Sequence, residues 1–240
     1  MRRTTKYAFR GTIAALCLLI VPAAQAGFLG AGATLDQLST PGMSIGVSGY
    51  TFTDFKLTNS SAANNKDIAP ESLSVTAVAQ PNNKVDLLFQ FPGVWTEGEF
   101  TELVLEFTAL APDGSAFMNH GLSFGPSFLF DTTGNPYALI NETVMPMDPN
   151  STQAPYTLAV YADPAVSQLM DSKDIVTPAN KLRISKDFQV YGGAPNGEPT
   201  RVLLTDFRQT FMGTPVVPEP STVALIATGL GMAVVARRRR

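Results

Sequence analysis

The chain has 240 residues, 45% of them hydrophobic and 15% charged, which is too apolar for a disordered chain and suits one globular domain with processed ends. The formal net charge is −3, but of the 17 basic residues eight stand at the termini: Arg2, Arg3, Lys6 and Arg10, then Arg237, Arg238, Arg239 and Arg240. The nine that remain face 20 acidic residues, a formal net of about −11, and this excludes nucleic acid as a partner because phosphate binding needs a basic face.

Residues 1–26 read as a secretory signal. Met1-Arg2-Arg3-Thr4-Thr5-Lys6 is basic, residues 13–21 are apolar, and Ala24-Gln25-Ala26 sets small residues at Ala24 and Ala26 for cleavage after Ala26. The single cysteine, Cys17, lies inside this signal and follows Leu16, where a lipoprotein signal needs a small residue. Lipid anchoring at Cys17 is therefore not expected. The mature chain has no cysteine, so it has no disulfide, thiol nucleophile or thiolate metal site, and its stability outside the cell rests on packing.

Residues 27–216 carry the pattern of strands. Ser72-Leu73-Ser74-Val75-Thr76-Ala77-Val78 alternates, and Pro81-Asn82-Asn83 leads into Lys84-Val85-Asp86-Leu87-Leu88-Phe89-Gln90-Phe91, which predicts a hairpin. In Thr101-Glu102-Leu103-Val104-Leu105-Glu106-Phe107, the apolar Leu103, Leu105 and Phe107 share one face, and Glu102 and Glu106 share the other. Further strands are predicted over residues 43–57, 122–130, 137–145, 156–162, 182–191 and 201–211, each bounded by Pro, Gly, Asn or Asp. Only residues 35–38 and 165–170 read as helical. Many short strands with almost no helix predict an all-β, two-sheet β-sandwich, jelly-roll-like, flanked by an N-terminal signal helix and a C-terminal transmembrane helix.

Several stretches invite a catalytic or metal-binding reading. Gly121-Leu122-Ser123-Phe124-Gly125 matches the nucleophile elbow of hydrolases, but that fold alternates strands with helices and places its histidine after the serine. Here the only histidine, His120, comes just before it and reads as a loop residue. Glu97, Glu99, Glu102 and Glu106 beside Trp95 resemble a glycosidase set, in which carboxylates stand about 5 to 10 Å apart near a sugar-stacking aromatic. Glu102 and Glu106 on one strand would stand about 13 Å apart, so a solvated acidic face fits better, and Trp95, the possible ligand contact, reads more as a core or edge aromatic than as a sugar platform. No Lys or Arg occurs from Val85 to Ser172. Within that stretch, Asp113-Gly114, Asp131-Thr132-Thr133-Gly134-Asn135 and Asp148-Pro149-Asn150 are loops of oxygen ligands that suit Ca²⁺ or an ordinary turn. No cofactor and no metal site are otherwise indicated.

The C-terminus holds Pro218-Glu219-Pro220-Ser221, an apolar run over residues 223–236, and Arg237 to Arg240. As a helix this run reaches about 21 Å, short of a hydrocarbon core of about 30 Å. The arginine cluster makes it a membrane segment, because positive charge beside an apolar helix stays on the cytoplasmic side. Proline fixes φ and bars the preceding residue from helix, so the Pro218-Glu219-Pro220 segment stays extended ahead of that helix, ready to be gripped as a strand.

Val217-Pro218-Glu219-Pro220-Ser221-Thr222, the apolar helix and the arginine cluster, in this order, resemble the PEP-CTERM sorting signal of Gram-negative bacteria. Ile184-Ser185-Lys186-Asp187-Phe188, Gly192-Gly193 and residues 204–211 carry a weaker likeness to the endings of such proteins. The resemblance implies that Val217, Pro218, Glu219 and Pro220 form a recognition motif for exosortase, a membrane-embedded cysteine transpeptidase. It also implies that the helix is a membrane stop and that Arg237, Arg238, Arg239 and Arg240 are its cytoplasmic lock. The expected path runs through the export machinery and signal peptidase to transient inner-membrane anchoring, then to the cell surface or an exopolysaccharide matrix. Residues 1–26, 27–216 and 217–240 are thus expected to be signal peptide, β-sandwich and sorting signal. The mature domain is expected not to be an enzyme but a structural or binding protein of a biofilm-like matrix; the alternative is a secreted carbohydrate-binding module or weak glycoside hydrolase.

Overall fold

Residues that alternate in polarity and stop at Gly, Asn or Pro build almost the entire chain from strands. The computed structural model describes residues 27–62, 65–91, 93–125, 129–130, 134–148, 152–194 and 200–214. The predicted signal helix, its cleavage site at Ala24 and Ala26, and the whole C-terminal tail lie outside these residues. In chain order the elements are β1 (Gly32–Thr34), α1 (Leu35–Leu38), β2 (Ser44–Val47), β3 (Tyr50–Asn59), β4 (Ser74–Gln80), β5 (Lys84–Gln90), β6 (Val94–Thr96), β7 (Phe100–Leu110) and β8 (Phe117–Phe124). There follow β9 (Leu129–Phe130), β10 (Tyr137–Pro146), β11 (Tyr156–Ala162), β12 (Ser167–Gln168), β13 (Met170–Ala179), β14 (Lys181–Tyr191), β15 (Arg201–Leu203) and β16 (Asp206–Gly213).

These strands form a six-stranded sheet in the order β1-β4-β5-β16-β8-β13 and a seven-stranded sheet in the order β12-β11-β10-β14-β7-β3-β2, with a small sheet β6-β15-β9. The long ladders are antiparallel, so each strand can bury one face and wet the other. The buried faces of the two large sheets meet. Phe89 on β5 lies 5.7 Å from Phe107 on β7, Phe211 on β16 lies 5.3 Å from Phe52 on β3, and Phe207 on β16 lies 6.2 Å from Phe188 on β14. Aromatic pairs at such spacings contribute about 0.5–1.5 kcal/mol each beyond the area they bury. The result is an all-β, two-sheet sandwich.

Local chemistry sets the connections. β2 and β3 are joined by Ser48 and Gly49, both at positive φ (53° and 83°), the twist that a two-residue hairpin demands. The predicted hairpin at Pro81-Asn82-Asn83 is present between β4 and β5, with Asn82 and Asn83 in the left-handed region, which asparagine tolerates. The helix over residues 35–38 is also present, and Gln37 Oε1 accepts the Thr34 N–H at its start.

Three expectations are corrected. Residues 165–170 are not helical: Asp163 Oδ1 accepts the Ala165 and Val166 N–H groups, both at 2.7 Å, and this turn leads into β12. Residues 43–57 and 201–211 each divide into two strands, the first at the Ser48-Gly49 turn. β13 carried no strand signal, because Met170-Asp171-Ser172-Lys173-Asp174 is polar and Pro178 lies near its end; it is an edge strand, where both are tolerated.

Candidate functional site

Trp95 lies inside the protein, 2% exposed. Its indole packs on Phe91 and Phe188, with centroids 6.0 and 6.3 Å away. Its Nε1–H donates to Thr101 Oγ1 at 2.7 Å, and that hydroxyl in turn donates to Lys66 O at 2.6 Å. Gly93 makes room for the ring, since a Cβ there would run into the indole. The side chain is thus a core pillar with a satisfied N–H, not an open platform for a sugar. Trp95→Ala is expected to lower the stability of the domain by about 3–5 kcal/mol, read as a lower denaturant midpoint at unchanged slope.

The acidic residues beside it disperse over the surface. Glu99 binds Lys66 at 3.0 Å and accepts the Thr96 N–H at 2.7 Å, Glu102 accepts from Gln189, and Glu106 pairs with Arg183 at 3.2 Å and Lys56 at 4.0 Å. Neither do the serine and histidine of the elbow-like motif converge. Gly121, Leu122, Ser123 and Phe124 belong to β8, and residues three apart on a strand point to opposite sides of the sheet. Among the described residues no group of three or more His, Cys, Asp or Glu gathers that could hold a metal ion. Asp131, Thr132 and Thr133 of one proposed calcium loop and Pro149 and Asn150 of another lie outside the described residues, as do Val217, Pro218, Glu219, Pro220 and Arg237 to Arg240.

The chemically dense place is one that motif reading missed. Glu142 on β10 and Lys186 on β14 stand directly opposite one another in register, with side chains in contact and wholly buried. The facing sheet adds Gln209 on β16, whose Nε2–H donates to Glu142 Oε1 at 2.9 Å, and His120 on β8, whose Nε2 lies 3.1 Å from the same oxygen. The Tyr156 hydroxyl on β11 reaches His120 Nδ1 at 3.4 Å. The Lys186 Nζ sits 5.5 Å from the Phe207 ring centroid and 5.9 Å from that of Phe107, a cation–π cage. His120 is therefore no loop residue but an inward side chain, stacked on Phe211 at 5.0 Å.

Burial dominates the electrostatics of this cluster. It pushes the Lys186 ammonium well below the ordinary lysine value. It also holds His120 well below the ordinary histidine value, with the charge of Lys186 as a second cause. The sign of the pH dependence follows. The unfolded chain binds a proton on His120 below about pH 6.5 that the folded core refuses, so stability is complete above that pH and falls as the pH drops. The expected loss is about 1.4 kcal/mol per pH unit below about pH 6.5, until the core histidine itself takes up a proton. Thermal melts from pH 7 to 5 check it: His120→Asn should melt with a shallower dependence on pH than the native chain, and parallel curves would contradict the assignment.

Comparison with known proteins bears mainly on the C-terminus. The family model of the PEP-CTERM protein-sorting motif matches residues 216–240. No curated protein matches the sequence. Among solved structures the chain is similar to TmCBM61 in complex with beta-1,4-galactotriose, at 12% identity over 66% of this chain and 85% of that one, with a TM-score of 0.24. It is also similar to the enzymatically active domain of bacteriophage CBA120 tailspike protein 4, at 10% identity over 70% of this chain and 19% of that one, TM-score 0.27. A third likeness is to a structure described under the carbohydrate-binding modules of the beta-sandwich superfamily, at 12% identity over 70% and 58% of the two chains, TM-score 0.21. Likenesses so distant say nothing of what this chain binds. The specific finding is at the tail: this chain carries a PEP-CTERM protein-sorting motif at its C-terminus.

Proposed function

We propose that this is an exported β-sandwich protein, sorted by exosortase and placed at the cell surface or in an exopolysaccharide matrix, where its role is structural or binding and not catalytic. The observation that carries this reading is the three-part tail: the Val217-Pro218-Glu219-Pro220 segment, the short apolar run and four terminal arginines within the matched residues 216–240. Signal peptidase removes residues 1–26, the export machinery threads the rest, and the arginines stop the chain in the inner membrane. The motif then stands at the outer interface, within reach of an enzyme seated in the same bilayer. A non-catalytic role is supported by the dispersal of the surface carboxylates and by the burial of Trp95, the residue on which a sugar-binding or hydrolytic alternative would rest.

The membrane stop has its own test. Each arginine costs about 2.5–3.5 kcal/mol at the centre of a membrane helix, so replacing Arg237, Arg238, Arg239 and Arg240 together by Ala should weaken retention of the precursor in the inner membrane. Membrane and soluble fractions of cells that lack exosortase decide it. Unchanged retention of the fourfold variant would contradict the role of the arginines.

A further inference from the structure

The core of this sandwich holds an amine against a carboxyl group, both closed off from solvent. Lys186 and Glu142 are direct cross-strand neighbours on one buried face, both 0% exposed. Such neighbours keep their Cβ atoms about 4.5–5.5 Å apart, so this pair cannot drift apart as a surface ion pair does. Burying two charges costs several kcal/mol each, and their attraction barely repays it. The contact has a neutral alternative, reached when one proton passes from Lys186 Nζ to Glu142 Oε2. Burial favours it on the lysine side, by holding the ammonium well below its ordinary pKa.

We propose that Lys186 and Glu142 are joined by an intramolecular amide bond, formed after the two sheets close over them. The Nζ lone pair attacks Glu142 Cδ, and the π electrons of the carboxyl move onto Oε1. That oxygen accepts from the Gln209 Nε2–H at 2.9 Å, a donor preorganised for a developing negative charge in a buried site, and His120 Nε2 lies 3.1 Å from it. The attacking nitrogen gives one proton to the Oε2 hydroxyl, which leaves as water while the carbonyl re-forms at Oε1. One C–N bond is made, one C–O bond is broken, no electrons are gained or lost, and one water departs. Proximity supplies the rate, since groups fixed in contact react with effective molarities of about 10⁵ M or more. The product carries no charge, so the desolvation cost of the pair disappears. Exclusion of water protects it from hydrolysis. In a chain whose only cysteine is Cys17, in the predicted signal, this bond would supply the covalent brace that a disulfide supplies elsewhere.

The test is a digest of the full chain purified from cells, denatured, cut with trypsin and chymotrypsin, and read by tandem mass spectrometry. The expected product is a branched peptide linking Lys186 to Glu142, lighter by one water than its two arms, with loss of the linear tryptic peptide Ile184-Ser185-Lys186. Lys186→Met should abolish the branched species. If that variant does not fold, the native digest decides alone. Recovery of linear Ile184-Ser185-Lys186 with no branched product overturns the proposal. A branch on Gln209, lighter by one ammonia, overturns it as well, because Gln209 would then be the acceptor and Glu142 only a proton carrier.

Discussion

Glu219→Ala is expected to leave export and N-terminal cleavage intact while the uncut chain accumulates in the inner membrane. The expected size is near-complete loss of the processed form, because the substitution removes the one charged group in the segment Pro218-Glu219-Pro220. Both prolines remain, and proline restricts its own φ and the residue before it whichever residue stands between them, so the variant is expected to differ in the carboxylate alone. The apolar run and its arginines are untouched and the membrane stop should hold. Fractionation followed by blotting separates the outcomes. Processing at the native rate would show that recognition rests on shape and prolines alone.

Glu142→Ala is expected to be among the most damaging single changes in the folded domain. It removes the group on which Lys186, Gln209 and His120 converge and leaves the lysine without its partner in a closed core. Removing one member of a buried pair costs about 3–5 kcal/mol, a large fraction of the stability of an ordinary domain, about 5–15 kcal/mol. Lys186→Met should cost less, because methionine fills much the same volume between Phe107 and Phe207, and the carboxyl group keeps its Gln209 donor and can become neutral by taking up a proton. Equilibrium unfolding in urea ranks the two. Equal losses would mean that the link between Lys186 and Glu142, which both substitutions remove, and not the other partners of the carboxyl group, holds the site together.

How much of this was legible in the sequence depended on the signal each element carries. The C-terminal segment was readable because a proline-flanked motif, an apolar run and a charge cluster follow one another in a fixed order, and the match at residues 216–240 agrees. The sandwich was readable from alternation, and the hairpin at Asn82 and Asn83 from the residues that accept positive φ. The buried cluster was missed, although a signal for it existed. Ile140-x-Glu142-x-Val144, Ile184-x-Lys186-x-Phe188 and Phe207-x-Gln209-x-Phe211 each place a polar residue at the parity of the core. Three such violations on three strands point to one shared site, but only the pairing of β10 with β14, and the packing of β16 and β8 over them, shows that they meet. β13 was illegible because an edge strand needs no alternation to be held by its neighbour.

The most direct test of the sorting account is the intact mass of the protein recovered from the medium or matrix. The account predicts a chain that begins at Gly27 and ends in or near Pro218-Glu219-Pro220, without Arg237 to Arg240; a recovered chain whose C-terminus is still Arg240 would contradict it.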